Sequence, residues 1–398
     1  MRIIFTSWAW PSHLYAMVPV AWACRAGGHE VLVASQPALT GVIAGTGLPA
    51  AAVGGDIDAV AFFRDIALPS ARQRAIAAQQ PGAGGPRVLG LLVALAEAMV
   101  DDLVAVARAW RADLIVFEPT AFAGPIAAAV LGIPAVRHLY GTDLMSGFDR
   151  FLPGALGPLC QRLGLDGVDP FGVATVDPCP PGLQVAVGSR RMPVRYVPYN
   201  GPGLLPVAVP ARPGRPRVCV TWGTTLSRLD PGIFLAGQVA RAISDLEVDV
   251  VVAITPGQRA LLGRLPPAVS VIESAPLHVL LPDCDLVVAH GGAGTLLTAL
   301  ASGLPQLLIP RLPDHVRHAG RLAEAGAAAV LPAPVQDPAM IREHVSSLLA
   351  DPAYRSAAVR LQGEMRGQPS PAQIVSQVEE IAAGASVRRS APEPLRRR

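Results

Sequence analysis

The densest chemical content of the chain lies between positions 286 and 315. Leu286, Val287, Val288 and Ala289 form a short apolar run that reads as a buried parallel strand. It ends on His290, turns through Gly291, Gly292, Ala293 and Gly294, and enters an apolar helical pattern at Thr295 that stops at Gly303. A strand, a glycine turn and a helix start leave backbone N–H groups and the positive helix end facing one point. That point suits an anion, most naturally a phosphate. His290 and Thr295 add a ring donor and a hydroxyl. Glycines alone would equally suit a plain packing turn. A second strand, 306–309, favours a site: it ends at Pro310 and brings Asp314 and His315 to the sheet edge where open α/β sheets bind ligands.

A second cluster of chemical residues sits near the N-terminus. Residues 2–6 read as a strand, about 13–26 as a helix and 31–34 as a strand, which opens a doubly wound α/β domain. His13 falls in the turn after the first strand. It suits proton transfer, because its neutral form is available near neutral pH, and it reads equally as an exposed or helix-capping residue. Glu118 ends a strand at 113–117, and Asp143 follows a strand at 133–137. Either carboxylate would orient an imidazole and balance its charge; each reads equally as a solvated loop residue. From 56 to 85 the periodicity fades into a Gly/Pro-rich end, so a variable loop is expected, with Phe62, Phe63 and Leu68 as apolar contacts or ordinary core. An amphipathic helix follows over 88–110. The stretch 195–216, rich in Pro and Gly, marks a linker, with the domain boundary at 204–215. The α/β rhythm then restarts with strands at 217–221, 248–254 and 269–273, and Asp230, Asp337, Asp351 and Ser370 each stand before a proline as helix caps.

Composition narrows the function. With 398 residues the chain fits two domains of about 100–200 residues each. An apolar content of 51% with 16% charge excludes a disordered chain. All 33 basic residues are Arg, which excludes a Walker-type phosphate lysine and a lysine Schiff base. A net charge of +3 without a basic stripe argues against nucleic acid. The five cysteines lack C-x-x-C spacing and read as core residues in a reducing compartment. The N-terminus lacks a signal-peptide pattern, and the apolar run 88–100, interrupted by Glu97, is short of a membrane span, so a cytoplasmic protein is expected. Asp283-Cys284-Asp285 precedes its strand on the wrong sheet edge, and no histidines show metal spacing, so no metal site is expected.

The segment SAPLHVLLPDCDLVVAHGGAGTLLTALASGLPQLLIPRLPDHVRHA resembles the donor-binding signature of the GT-B fold, family 1 glycosyltransferases. HLYAMVPVAWACRAGGHEVLVAS, DLIVFEPTAFAGPIAAAVLGIPAV, RYVPYNGPG and RPRVCVTWGTT extend the likeness along nearly the whole chain. Within that family the blocks are most similar to actinomycete enzymes that attach deoxysugars to polyketide antibiotics. The resemblance implies two Rossmann-like domains facing across a cleft. Residues 1–205 would bind the acceptor, with a helix at 372–383 crossing back onto them, and 206–371 the nucleotide sugar. Residues 152–181 would cap the acceptor cleft, and 384–398 would form a disordered basic tail.

The same resemblance implies site roles. His13 would be the general base, although Ser12 stands where the family often has Gly. Phe62, Phe63 and Leu68 would touch the acceptor. Thr224, Thr225, His290, Gly291, Gly292, Gly294 and Thr295 would face the donor phosphates. Ser274 and Ala275 would belong to the nucleobase platform, Ser274 replacing a stacking aromatic. Asp314 would bind sugar hydroxyls, beside His315 where Gln is common. The implied reaction is inverting transfer, without metal or cofactor, of a deoxysugar from a dTDP-sugar co-substrate to a hydrophobic polyketide-type aglycone. An auxiliary activator protein and a homodimer stay open as partners. A sugar-nucleotide epimerase on the same scaffold and a non-catalytic helper of another transferase stay open as other functions.

Overall fold

The computed structural model describes residues 1–67, 84–185, 190–204, 214–334 and 337–390. They build two sheets. The first contains β1 (Arg2–Thr6), β2 (Glu30–Ser35), β3 (Ala50–Ala52), β4 (Leu114–Phe117), β5 (Ala135–His138), β6 (Ala174–Asp177) and β7 (Arg191–Pro193). The second contains β8 (Arg217–Thr221), β9 (Asp249–Ile254), β10 (Ser270–Glu273), β11 (Leu286–Ala289), β12 (Gln306–Leu308) and β13 (Ala328–Val330). Every pairing is parallel, in the orders β3-β2-β1-β4-β5-β6-β7 and β10-β9-β8-β11-β12-β13.

Parallel strands are covered on both faces, and their sequences show it: RVCVT, DVVVAI and LVVA are buried at every position. One face of the first sheet packs under the helices Gly84–Trp110 and Ala123–Leu131. The other carries the helix Pro11–Ala26 and the last helix, Val375–Ser390, whose Ile374 (just ahead of it), Val378 and Ala382 join that core. In the second sheet, Ala236–Ile243 and Pro338–Ala350 cover one face, and Ala293–Ala301, Pro313–Glu324 and Pro352–Gly367 the other.

Strand order reverses between β1 and β4 and again between β8 and β11. Chains leaving the two strands of such a pair diverge to opposite faces and open a crevice at their carboxyl ends. The two crevices face each other, and bonds between the halves hold them so. Arg321 donates to the carbonyls of Leu183 (3.3 Å) and Gln184 (3.2 Å), the Gly182 N–H donates to Glu364 (2.7 Å), and Arg64 donates to the Leu229 carbonyl (2.6 Å). No helix among the described residues is long and apolar enough to cross a membrane.

Three expectations are corrected, and a strand with no expectation behind it appears. Part of the expected loop 56–85 is helical, over Ala59–Ala67, where Phe62 and Phe63 pack against the core. The segment 152–181 contains the helix Leu152–Arg162 and strand β6; the helix packs on Gly84–Trp110, and none of the segment lines the cleft. β7 was absent from the expected elements because RMP is too short to show a period. The last helix continues to Ser390, past the expected start of a tail at 384. The linker residues 205–213 and the end of the chain from 391 lie outside the described residues.

The last helix is held by burial more than by charge. Ile374 has no exposed surface, whereas the contact of His29 Nε2 with Glu379 (3.0 Å) involves a half-exposed carboxylate. Ile374→Ala should cost about 2–5 kcal/mol, and Glu379→Ala under about 1 kcal/mol. Urea unfolding followed by tryptophan fluorescence checks the order.

Candidate active site

The first crevice assembles the N-terminal residues. Thr6 lies opposite Phe117 in the β1–β4 register, so the chain leaves both strands side by side. After β1 comes the helix Pro11–Ala26, with proline in its first turn, and His13 is presented from that turn. After β4 comes Glu118. His13 Nδ1 stands 3.2 Å from Glu118 Oε2, an ion-pair distance at which the ring N–H is not aligned for a hydrogen bond. Glu118 has no exposed surface; it accepts from the Thr120 N–H (3.0 Å) and hydroxyl (2.7 Å), and Thr120 Oγ1 in turn accepts from the Trp8 indole (2.8 Å). Asp143 is placed elsewhere. It is buried in an ion pair with Arg137 (2.8 Å) and accepts from the Met145 N–H (3.1 Å). Of the two carboxylates, Glu118 is the one at His13.

The second crevice assembles the C-terminal residues. His290 follows β11, and Gly223, Thr224 and Thr225 follow its neighbour β8. The His290 ring lodges between Gly223 and Gly292. A Cβ on Gly223 (φ +58°) would lie 2.6 Å from the ring, and one on Gly292 would collide with Nε2. Those two glycines are therefore required by space. The helix Ala293–Ala301 starts there without a side-chain cap, so its first N–H groups have no intrahelical partner. His315 sets its ring edge-on to His290 (4.8 Å, 79°), with Nε2 3.9 Å from Asp314. The Nδ1 atoms of His290 and His315 are buried without a hydrogen-bond partner among the described residues. Burial, reinforced by His315, pushes the His290 pKa well below its usual value, and burial alone brings His315 down to about 3. Both imidazoles are neutral groups at physiological pH.

One cavity of about 360 Å³ joins the two crevices. His13, Phe63, Thr224, Thr225, Ser274, Ala275, His290, Gly292, Gly294, Thr295, Asp314 and His315 all line it. Glu118 stands behind His13. Phe62 packs edge-on against Phe63 (5.6 Å) outside the lining, and Gly291 backs onto the His315 carbonyl. Leu68 lies outside the described residues. Sequence reasoning missed Tyr140, which stacks on His13, and Tyr196 and Asn200, which brace the helix Ala293–Ala301: the Tyr196 hydroxyl donates to the Gly294 carbonyl (3.2 Å) and Asn200 Nδ2 to Thr298 Oγ1 (3.0 Å). Trp8, Trp10 and Phe148 line the wall on the His13 side, and Gln258 lines the other beyond Thr225. The block RYVPYNGPG contains Tyr196 and Asn200, but neither spacing nor type marked the individual residues.

Comparison with known proteins converges on the same picture. The erythromycin biosynthesis protein CIII-like N-terminal domain matches residues 22–223, and its C-terminal domain matches 237–381. The 10-deoxymethynolide desosaminyltransferase of Streptomyces venezuelae is 37% identical, over 96% of this chain and 97% of its own. The aklavinone 7-beta-L-rhodosaminyltransferase of Streptomyces galilaeus is 37% identical, over 96% of each chain. A spinosyn rhamnosyltransferase, solved with thymidine diphosphate and separately with spinosyn aglycone, superposes with a TM-score of 0.82 at 33% identity, covering 95% of this chain and all of that one. Two doubly wound domains facing across a shared cleft are the architecture of a GT-B glycosyltransferase. The chain belongs to the family 1 antibiotic glycosyltransferases, in the erythromycin biosynthesis protein CIII-like group.

Two outcomes follow from this geometry. Gly292→Ala should weaken binding of inorganic pyrophosphate at least about tenfold by calorimetry, since the new methyl displaces His290 from the helix end. The second concerns pH. Burial lowers His138 and His318 to about 4 and His315 to about 3, so the unfolded chain binds protons that the folded one refuses. Stability from these groups is complete above their unfolded pKa, about 6.5, and declines as pH falls from there toward 4. Thermal melts across that window should show Tm falling, with a shallower slope in His318→Gln.

Proposed function

We propose that this glycosyltransferase moves a deoxysugar from a dTDP-sugar to a polyketide-type aglycone, with inversion and without a metal or cofactor. The observation that carries the reading is the pairing of His13 with Glu118 on the wall of the cavity that also contains the glycine turn. Its support from relatives is that they are named as desosaminyl- and rhodosaminyltransferases, and that a structural neighbour was solved with thymidine diphosphate and with spinosyn aglycone.

In this mechanism the aglycone lies against Trp10, Phe63 and Phe148, with its nucleophile at His13. As the nucleophile attacks the anomeric carbon, its proton passes to His13 Nε2, because Nδ1 faces Glu118. The carboxylate balances the imidazolium that forms. The bond from the anomeric carbon to the diphosphate oxygen breaks, and its electron pair leaves with the diphosphate. Negative charge growing there meets the first N–H groups of Ala293–Ala301, Thr295 and His290, donors already in position before reaction. Asp314 accepts hydrogen bonds from the sugar's hydroxyls. One base serving one displacement inverts the anomeric centre. The apolar wall beyond His13 favours an acceptor over the water-free, acceptor-free site of an epimerase.

The assay is product mass spectrometry with dTDP- and UDP-sugars against aromatic and macrolactone aglycones. A glycosylated product from a dTDP-sugar is expected, falling by at least about 100-fold in His13→Ala and about tenfold or more in Glu118→Gln. Unchanged turnover in His13→Ala would discard the base assignment.

A further inference from the structure

We propose that Tyr140 is a positioning residue: the face of its ring fixes the plane of the His13 imidazole against Glu118. The inference rests on His13 acting as the base. A histidine's outer torsion is intrinsically broad, so packing must select the ring plane. Glu118 does not select it, since at 3.2 Å the Nδ1 contact lacks the alignment of a hydrogen bond. Tyr140 does. Its ring lies nearly parallel to His13, with centroids 4.0 Å apart and an interplanar angle of 15°, the tightest ring contact His13 makes among the described residues. The Trp8 ring approaches from another side, nearly perpendicular, at 5.3 Å. Face and edge together leave the imidazole one plane, the one with Nδ1 toward Glu118.

Tyr140 reaches this place through local chain geometry. β5 ends at His138, one strand beyond β4, and two residues later Tyr140 projects into the cavity next to the exit of β4. Burial, and the charges of Asp314 and Glu118, hold its phenol pKa well above the usual value. The group therefore stays a neutral phenol and does not compete with His13 for protons. An aromatic face over imidazole also favours the cationic ring formed when the acceptor proton is taken.

The test compares Tyr140→Leu, which removes the ring, with Tyr140→Phe, which keeps it, in the full-length enzyme. The donor and acceptor are the pair that turns over in the product assay. Leucine should lower kcat about 10- to 100-fold while the donor KM stays within about threefold, and phenylalanine should restore kcat to within about threefold of wild type. In spectra of enzyme carrying 13C at histidine Cε1, the resonance that disappears in His13→Ala should move in Tyr140→Leu and stay in Tyr140→Phe. The proposal is overturned if leucine turns over at the wild-type rate, if the His13 resonance does not move, or if donor KM rises as much as kcat falls. It is equally overturned if phenylalanine falls as far as leucine, which would make the hydroxyl the acting group. His13→Ala assayed alongside separates the two readings: full activity there removes the base, whereas a dead His13→Ala beside a fully active Tyr140→Leu removes only the role of Tyr140.

Discussion

A carboxylate with no exposed surface constrains the whole acceptor side of the cleft. Desolvating Glu118 is unfavourable by several kcal/mol unless donors surround it. The chain supplies donors locally, the N–H and hydroxyl of Thr120, and sets the ring of His13 at ion-pair distance from the other side of the sheet crevice. Thr120 is itself fixed by the buried indole of Trp8. Trp8, His13, Glu118 and Thr120 thus form one unit, in which removing any member leaves another without its partner. Its chemical consequence is directional. In the proposed mechanism, a proton taken by His13 from the cleft side would be balanced by the Glu118 carboxylate instead of creating an isolated charge.

That unit would do nothing without the second crevice opposite it. Both key histidines stand at points where strand order reverses, His13 after β1 beside β4 and His290 after β11 beside β8. Such points are where parallel sheets present open backbone and diverging helices, so each half supplies its chemistry at the place the topology leaves vacant. What the topology does not determine is that the crevices face each other. Here the closing contacts matter: Arg321 on two carbonyls of the first half, Arg64 on the Leu229 carbonyl of the second, and the Arg228 guanidinium over the Trp10 ring at 5.4 Å. Arg64 lies on the helix Ala59–Ala67 next to Phe63, Trp10 lines the cavity on the His13 side, and Leu229 and Arg228 belong to the short helix that begins at Thr225. The same contacts therefore hold the His13 wall of the cavity against the Thr225 end of the second half.

Much of the fold was legible from residue order. DVVVAI and LVVA declare buried parallel strands, and HGGAGT declares a turn into a helix, because both signals are local. The choice between Glu118 and Asp143 was not, since each follows a strand and neither neighbourhood is distinctive. Packing decides it: the segment after β5 brings Tyr140 to His13 and turns Asp143 onto Arg137, whereas Glu118, directly after β4, stands at the ring. The helix Ala59–Ala67 was hidden because it is only nine residues long and runs into the Gly/Pro-rich stretch that follows it in sequence. Tyr140, Tyr196 and Asn200 escaped for a different reason. Each acts through a contact with a residue over a hundred positions away or in another element, as Tyr140 does on His13 and Asn200 on Thr298, and no spacing rule reaches that far.

The state of the donor-side histidines bears on how such a site can turn over. A fixed cation beside the diphosphate would hold the leaving group as strongly after reaction as during it. His290 and His315 are instead neutral, both kept so by burial and His290 further by His315. In the proposed mechanism they and the first turn of Ala293–Ala301 would offer dipoles and hydrogen-bond donors, whose interaction with a diphosphate would grow as charge develops on its bridging oxygen. Stabilisation would then be weighted toward the transition state rather than toward the bound diphosphate, the condition for accelerating the chemical step without trapping its product. Gly223 and Gly292 make this possible by leaving His290 the space to sit under the helix end. The requirement for small residues at those two positions is accordingly electrostatic in purpose although steric in form.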